Sequence, residues 1–285
     1  MNARKSRLLF AAIGLLMLAS ASEGAWYETA ADIAAGHDWG KTSRFGPILH
    51  LTAYKPDGTA VSSGTATLIS PEWVLTASAA HFGLADSLGS VRLLSCYDPV
   101  NVPATHTRWA LEMKTHDDQP QVIGEGVDLM LLRIDPITDI TPVSLFTGAP
   151  QIGMEFVGAG FGRPGSVETG MLSPDWKKRA GNNEVSAEAF GLGGYIQALF
   201  RQGPNALPLE WASTPGDSGG PWLTEANELF AVDSFAVNGV LSGGQPIYPH
   251  LPWIYSVTGL PEPGTLVLMA ASMTFLLRRR TYKAA

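Results

Sequence analysis

From residue 47 onward the apolar residues of this chain come in short runs, each closed by turn formers, and that spacing restricts the fold more than any other feature. Residues 48–54 (ILHLTAY), 65–69 (TATLI), 73–76 (WVLT), 91–94 (VRLL), 109–113 (WALEM) and 129–134 (LMLLRI) are such runs, with Pro56-Asp57-Gly58 and Ser62-Ser63-Gly64 between the early ones. Each is too short for a helix that buries one face, and long enough for a strand. The 31 glycines, 20 prolines and 16% charged residues suit many turns and few helices. An all-β barrel or sandwich is the expected class. Residues 136–153, rich in Pro, Thr and Gly, read as a linker, and residues 154–162 (MEFVGAGFG) and 230–237 (FAVDSFAV) open a second series of strands. Residues 22–44 read as a pro-segment or loosely attached arm, and residues 175–188, polar and charged, as a surface loop.

The whole chain carries a net charge of −7. Seven of its 19 Lys and Arg lie in residues 1–21 and 264–285, which hold no Asp or Glu, so the body between them is more acidic still. Binding to nucleic acid is therefore not expected, because phosphate contact needs clustered cations. Cys96 is the only cysteine, which rules out an intrachain disulfide. No H-E-x-x-H and no Cys/His cluster is present, so neither a metal nor another cofactor is expected.

Gly216-Asp217-Ser218-Gly219-Gly220-Pro221 carries the candidate chemistry. A serine hydroxyl needs a base to take its proton and donors to hold the oxyanion that follows its attack. His81 follows an apolar run and several small residues, and Asp128 opens the strongly apolar stretch Leu129-Met130-Leu131-Leu132. A buried carboxylate there needs a partner, and an imidazole in need of a fixed tautomer is a suitable one. Gly216 permits the backbone conformation that aims its N–H at an oxyanion, and the Ser218 N–H is the second donor. Gly216-x-Ser218-x-Gly220 also fits the G-x-S-x-G elbow of α/β-hydrolases, with Asp233 and His250 downstream. That fold needs a helix directly after the serine, and Gly219-Gly220-Pro221 is hostile to one.

In the order His81, Asp128, Ser218 and with these flanks, the chain resembles the chymotrypsin/trypsin-like serine peptidases. Residues 73–81 (WVLTASAAH) resemble that family's W-V-L-T-A-A-H with extra small residues, 128–132 (DLMLL) its D-I-A-L-L, and 216–221 match G-D-S-G-G-P. The resemblance runs from about Phe45 to Ser256. It implies two packed antiparallel β-barrels, here 45–145 and 146–258, with the active site in the cleft between them. It also implies an endopeptidase acting on protein or peptide substrates through an acyl-enzyme. Ala212, Ser234, Phe235 and Ala236 would shape the pocket for the residue before the scissile bond, and the uncharged Ala212 argues against a Lys or Arg preference. Asp217 would pair with an N-terminal amine exposed by activation, yet residues 33–36 (IAAG) only faintly echo the family's I-V-G-G. The alternative from another class is a surface-displayed peptide-binding protein on a vestigial peptidase scaffold.

Both ends read as addresses. Arg4, Lys5 and Arg7, the apolar run 8–18 and Ala19-Ser20-Ala21 follow the order of a secretory signal peptide over residues 1–21. Residues 259–285 contain Pro261-Glu262-Pro263, an apolar stretch at 265–277 and Arg278-Arg279-Arg280. This is similar to the PEP-CTERM sorting signal of certain Gram-negative bacteria, with arginines holding the cytoplasmic end of a short membrane helix. The similarity implies an exosortase-type sorting enzyme as partner, display at the cell surface or in the matrix, and membrane contact only through the terminal segments.

Overall fold

The computed structural model describes residues 25–78, 89–118, 126–190, 194–237 and 239–262. The expected signal peptide, His81 and the tail from Pro263 onward lie outside the described residues. The first described segment is no loose arm. It forms β1 (Ala25–Tyr27) and α1 (Ala30–Gly40), with Thr29 and Asp32 closing a reciprocal capping box at the helix start. Gly36 and Gly40, one turn apart, are the buried residues of α1. A Cβ on Gly36 would stand 2.2 Å from the Tyr27 hydroxyl, and one on Gly40 would stand 2.7 Å from the Lys178 carbonyl oxygen. Two glycines on one face thus let the helix lie against the body. The Tyr27 hydroxyl, fully buried, donates to the Ala180 carbonyl at 3.0 Å.

Seven strands make the first barrel: β2 (Ile48–Tyr54), β3 (Ala60–Ser70), β4 (Trp73–Thr76), β5 (Ser90–Ser95), β6 (His106–Trp109), β7 (Glu112–Thr115) and β8 (Met130–Arg133). They pair in the order β6-β5-β2-β3-β4-β8-β7. The run 109–113, expected as one strand, is two. Between them the Ala110 amide donates to Val91 O and the Leu111 amide to Arg133 O, so this short stretch steps from one edge of the sheet to the other and closes it. Strand β5 alternates burial residue by residue, with Val91 and Leu93 facing a core that includes Leu49, Leu51, Leu68, Val74 and Leu132. Nearly all of β2 is buried, because its other face is covered too: the His50 ring meets Phe161 and Trp176 edge to face at 5.1 and 5.9 Å.

The second barrel takes β9 (Ser144–Leu145), β10 (Glu155–Gly160), β13 (Arg179–Glu184), β14 (Ala187–Phe190), β15 (Tyr195–Leu199), β16 (Pro221–Leu223), β17 (Glu228–Val237) and β18 (Leu241–Pro246). Between β10 and β13 the short β11 (Pro164–Ser166) and β12 (Gly170–Met171) pair with β1 as a separate three-stranded sheet. The main sheet runs β13-β10-β16-β17-β18-β15-β14, with β9 added beside β17. Its core stacks Phe156 on Trp222 at 4.2 Å between centroids and sets Phe230 edge-on to both. The fold is therefore all-β, two antiparallel barrels side by side. The second compact unit of the chain, as far as it is described, holds one helix, α2 (Leu251–Thr258), ended by Gly259 in the left-handed conformation. No helix among the described residues is long and apolar enough to cross a membrane.

The expected surface loop at 175–188 instead contains β13, an edge strand of the second barrel with four of its six residues buried. Several of the polar groups there find protein partners. Arg179 grips Asp175 through both carboxylate oxygens at 2.8 and 2.6 Å. Asn183 donates to Trp211 O at 2.7 Å, and the Lys178 ammonium donates to Phe45 O at 2.7 Å. Burial pushes the Lys178 pKa down to about 7.

Candidate active site

Asp128 lies just before β8 of the first barrel and is fully buried. The two oxygens of its carboxylate accept from different barrels. The Ser78 hydroxyl, two residues past β4, donates to Oδ1 at 3.0 Å, and the Ser234 hydroxyl of β17 donates to Oδ2. The Asp128 amide donates to Gln245 Oε1 on β18 at 3.2 Å. The carboxylate is thus held at the seam between the barrels.

Ser218 comes to the same seam. It is half-exposed between the buried Asp217 and Gly219, and its hydroxyl lies 3.5 Å from the Ser234 carbonyl oxygen. Ser234 therefore touches both residues, Asp128 with its side chain and Ser218 with its backbone. Asp128 and Ser218 are brought together; His81, the third member of the expected triad, lies outside the described residues. Gly216 takes φ +104°, a conformation that a side chain would strain, and its amide meets no acceptor among the described residues. No group of three or more potential metal ligands occurs among the described residues.

The expected pocket residues divide. Ala212 is fully buried and joined at both its amide and its carbonyl to Trp26 of β1, at 3.0 and 2.9 Å. The first described segment therefore braces a residue six positions before the serine. Ser234 proves to be a carboxylate partner through its hydroxyl. Phe235 is buried with its ring edge-on to Tyr195 at 5.5 Å, and Ala236 is half-buried. Cys96 is a free thiol that burial pushes up to about 11, which leaves it a poor nucleophile at neutral pH.

Two further buried aspartates flank the serine. Asp217 accepts from the Gly162 amide at 2.8 Å, the Thr214 amide at 3.1 Å and the Thr214 hydroxyl at 3.0 Å. Residues 33–36, the faint echo of an activation sequence, lie inside α1. Burial raises the Asp217 pKa to about 6 against the pull of those hydrogen bonds. Asp233 accepts from Trp222 Nε1 at 3.1 Å. Burial first, and then the charge of Asp217, push its pKa well above the usual carboxylate range.

Asparagine substitutions at the two positions should therefore behave oppositely. In Asp217→Asn either amide orientation sets an N–H against a backbone N–H, of Gly162 or of Thr214, and the expected loss is about 2–4 kcal/mol. Asp233→Asn keeps an oxygen for Trp222 and should cost little at pH 6, where wild type has already given up part of the stability its protonated carboxyl holds at lower pH. A carboxyl whose pKa is raised by folding contributes stability that is full below its unfolded value and is lost as pH rises through the folded one. Wild type should therefore lose stability relative to Asp233→Asn as the pH goes from 6 to 9. Urea denaturation of both variants at the two pH values checks this, and equal losses at pH 6 would contradict it.

Comparison with known proteins agrees with this architecture. The family model described as Trypsin matches residues 56–254, more than half of the chain. Kallikrein 1-related peptidase b24 of Mus musculus is 35% identical over 109 residues, covering 33% of this chain and 41% of that protein. This chain thus aligns with less than half the length of that relative. Among solved structures, HL collagenase superposes with a TM-score of 0.60 at 18% identity, over 78% of this chain and 97% of the other. The inactivated protease paralogue S-I1 of the scabies mite superposes with a TM-score of 0.57 at 15% identity, over 78% and 99%. At such identities the two structures speak for the fold alone.

Proposed function

Because the chain belongs to the trypsin family of serine peptidases, we propose that it is an active endopeptidase in which Ser218 is the nucleophile, His81 the general base and Asp128 the residue that orients and charge-balances it. The observation that carries this reading is the arrangement around Ser234, which ties a half-exposed serine to a buried carboxylate across the seam. Ser218 attacks the peptide carbonyl as its proton passes to His81. The amides of Gly216 and Ser218 receive the oxyanion, the leaving amine takes the proton, and water releases the acyl-enzyme. The uncharged, buried Ala212 supports a preference for residues other than Lys and Arg. The order of segments at the two ends supports export and surface display, with the tail read by an exosortase-type enzyme; a mature protein that still carries residues 1–21 would speak against export.

A peptide-binding protein without hydrolysis is the competing reading, and one structural neighbour is itself described as inactivated. A fluorophosphonate probe separates the two. An active enzyme is labelled at Ser218 and cleaves members of a peptide library, whereas a binding protein stays unlabelled.

A further inference from the structure

We infer that Thr65, a residue of the first barrel, is a positioning residue for the oxyanion-binding loop of the second. Thr65 lies in β3 and is fully buried. Its hydroxyl donates to the Gly216 carbonyl oxygen at 2.8 Å and accepts from the Phe161 amide at 3.0 Å. Its own amide donates to the Ser218 carbonyl oxygen at 3.0 Å. One side chain and one amide thus join β3, the segment after β10 and the nucleophile loop.

The peptide planes of that loop show what those bonds do. In the plane between Gly216 and Asp217, Thr65 holds the carbonyl and the Thr214 carbonyl takes the Asp217 amide at 2.8 Å. In the plane between Ser218 and Gly219, Thr65 holds the carbonyl and the Asp233 carbonyl takes the Gly219 amide at 2.7 Å. The plane between them is held by the Gly220 amide on Asp217 O at 2.7 Å. With these planes fixed, the direction of the Ser218 N–H follows; the Gly216 N–H lies in the plane before them, whose Pro215 carbonyl accepts from the Arg163 amide at 3.4 Å, and Thr65 holds the plane on the other side of that glycine. Oxyanion donors work only when aimed before the charge develops, and a glycine at φ +104° has no side chain of its own to hold it there. Among these anchors Thr65 alone comes from the first barrel.

This inference rests on the peptidase reading for its kinetic consequence, but not for its structural one. Thr65→Val keeps the branched shape and removes the hydroxyl; Thr65→Ser keeps the hydroxyl and removes the methyl. If the hydroxyl positions the loop, Thr65→Val lowers kcat by about 10- to 100-fold with KM little changed, and Thr65→Ser restores most of it. A wild-type kcat in Thr65→Val, or a Thr65→Ser variant as impaired as the valine one, overturns the inference, the latter in favour of a packing role. Amide hydrogen exchange reads the same device without turnover. The Phe161 amide, deprived of its acceptor, and the amides of residues 216–220 should exchange faster in Thr65→Val and at the wild-type rate in Thr65→Ser. If wild type resists the fluorophosphonate probe, the peptidase reading fails by itself and the exchange rates alone judge Thr65. Exchange rates unchanged in Thr65→Val overturn it.

Discussion

Replacing Ser218 by alanine is expected to lower kcat by on the order of 10⁶ with no change in fold. Ser218 is half-exposed, so the lost hydroxyl leaves no cavity in a packed core. The loop around it is held through the backbone and by its neighbours' side chains. Thr65 binds the Ser218 carbonyl, Asp233 of β17 accepts from the Gly219 amide and donates to the Gly220 carbonyl, and Asp217 takes three donors from outside the nucleophile itself. An alanine inherits all of that. What it lacks is the oxygen that forms the acyl bond, and residual turnover would come from the remaining donors and from substrate positioning. Steady-state rates on a cleaved peptide, with thermal unfolding as the fold control, measure the effect. A variant within tenfold of wild type would take Ser218 out of the nucleophile's role.

That loop was the most readable part of the chain, because its chemistry is local. Glycines beside a serine, and a proline after them, sit within six consecutive residues, and the strand runs at 48–54 and 73–76 coincide with β2 and β4; the run 65–69 is only the buried end of β3, which starts at Ala60 and takes in Ser62-Ser63-Gly64, expected as a turn. The parts that were not legible depend on distant partners. Ser78, Thr65 and Ser234 are small polar residues in apolar strands or beside them, and nothing local distinguishes them from their neighbours. Their meaning comes from atoms 50, 151 and 106 positions away. Residues 175–188 misled for the same reason, since Lys178, Arg179 and Asn183 look solvated until their buried acceptors are known. The segment 22–44 reads as loose because it is polar, alanine-rich and weakly periodic, and the two glycines that seat its helix are weak helix formers in isolation. Packing overrode propensity there.

Asp128→Asn is expected to be the second large loss, about 10⁴ in kcat, with KM changed little and the fold retained. The site can accept an amide. One oxygen remains for one hydroxyl, and the other, on Ser78 or Ser234, can rotate so that its oxygen accepts from the new –NH₂. The Asp128 amide keeps Gln245. The substitution therefore removes charge more than it removes structure. In the proposed mechanism that charge is what stabilises the imidazolium formed at His81 and holds its tautomer, so the penalty falls on the chemical step. A carboxylate retained only to tie the two barrels together predicts a different pattern: lower unfolding temperature and turnover within a few-fold. Measuring both quantities on the same protein decides between them, and a normal rate beside a lowered melting point would leave Asp128 a structural clasp.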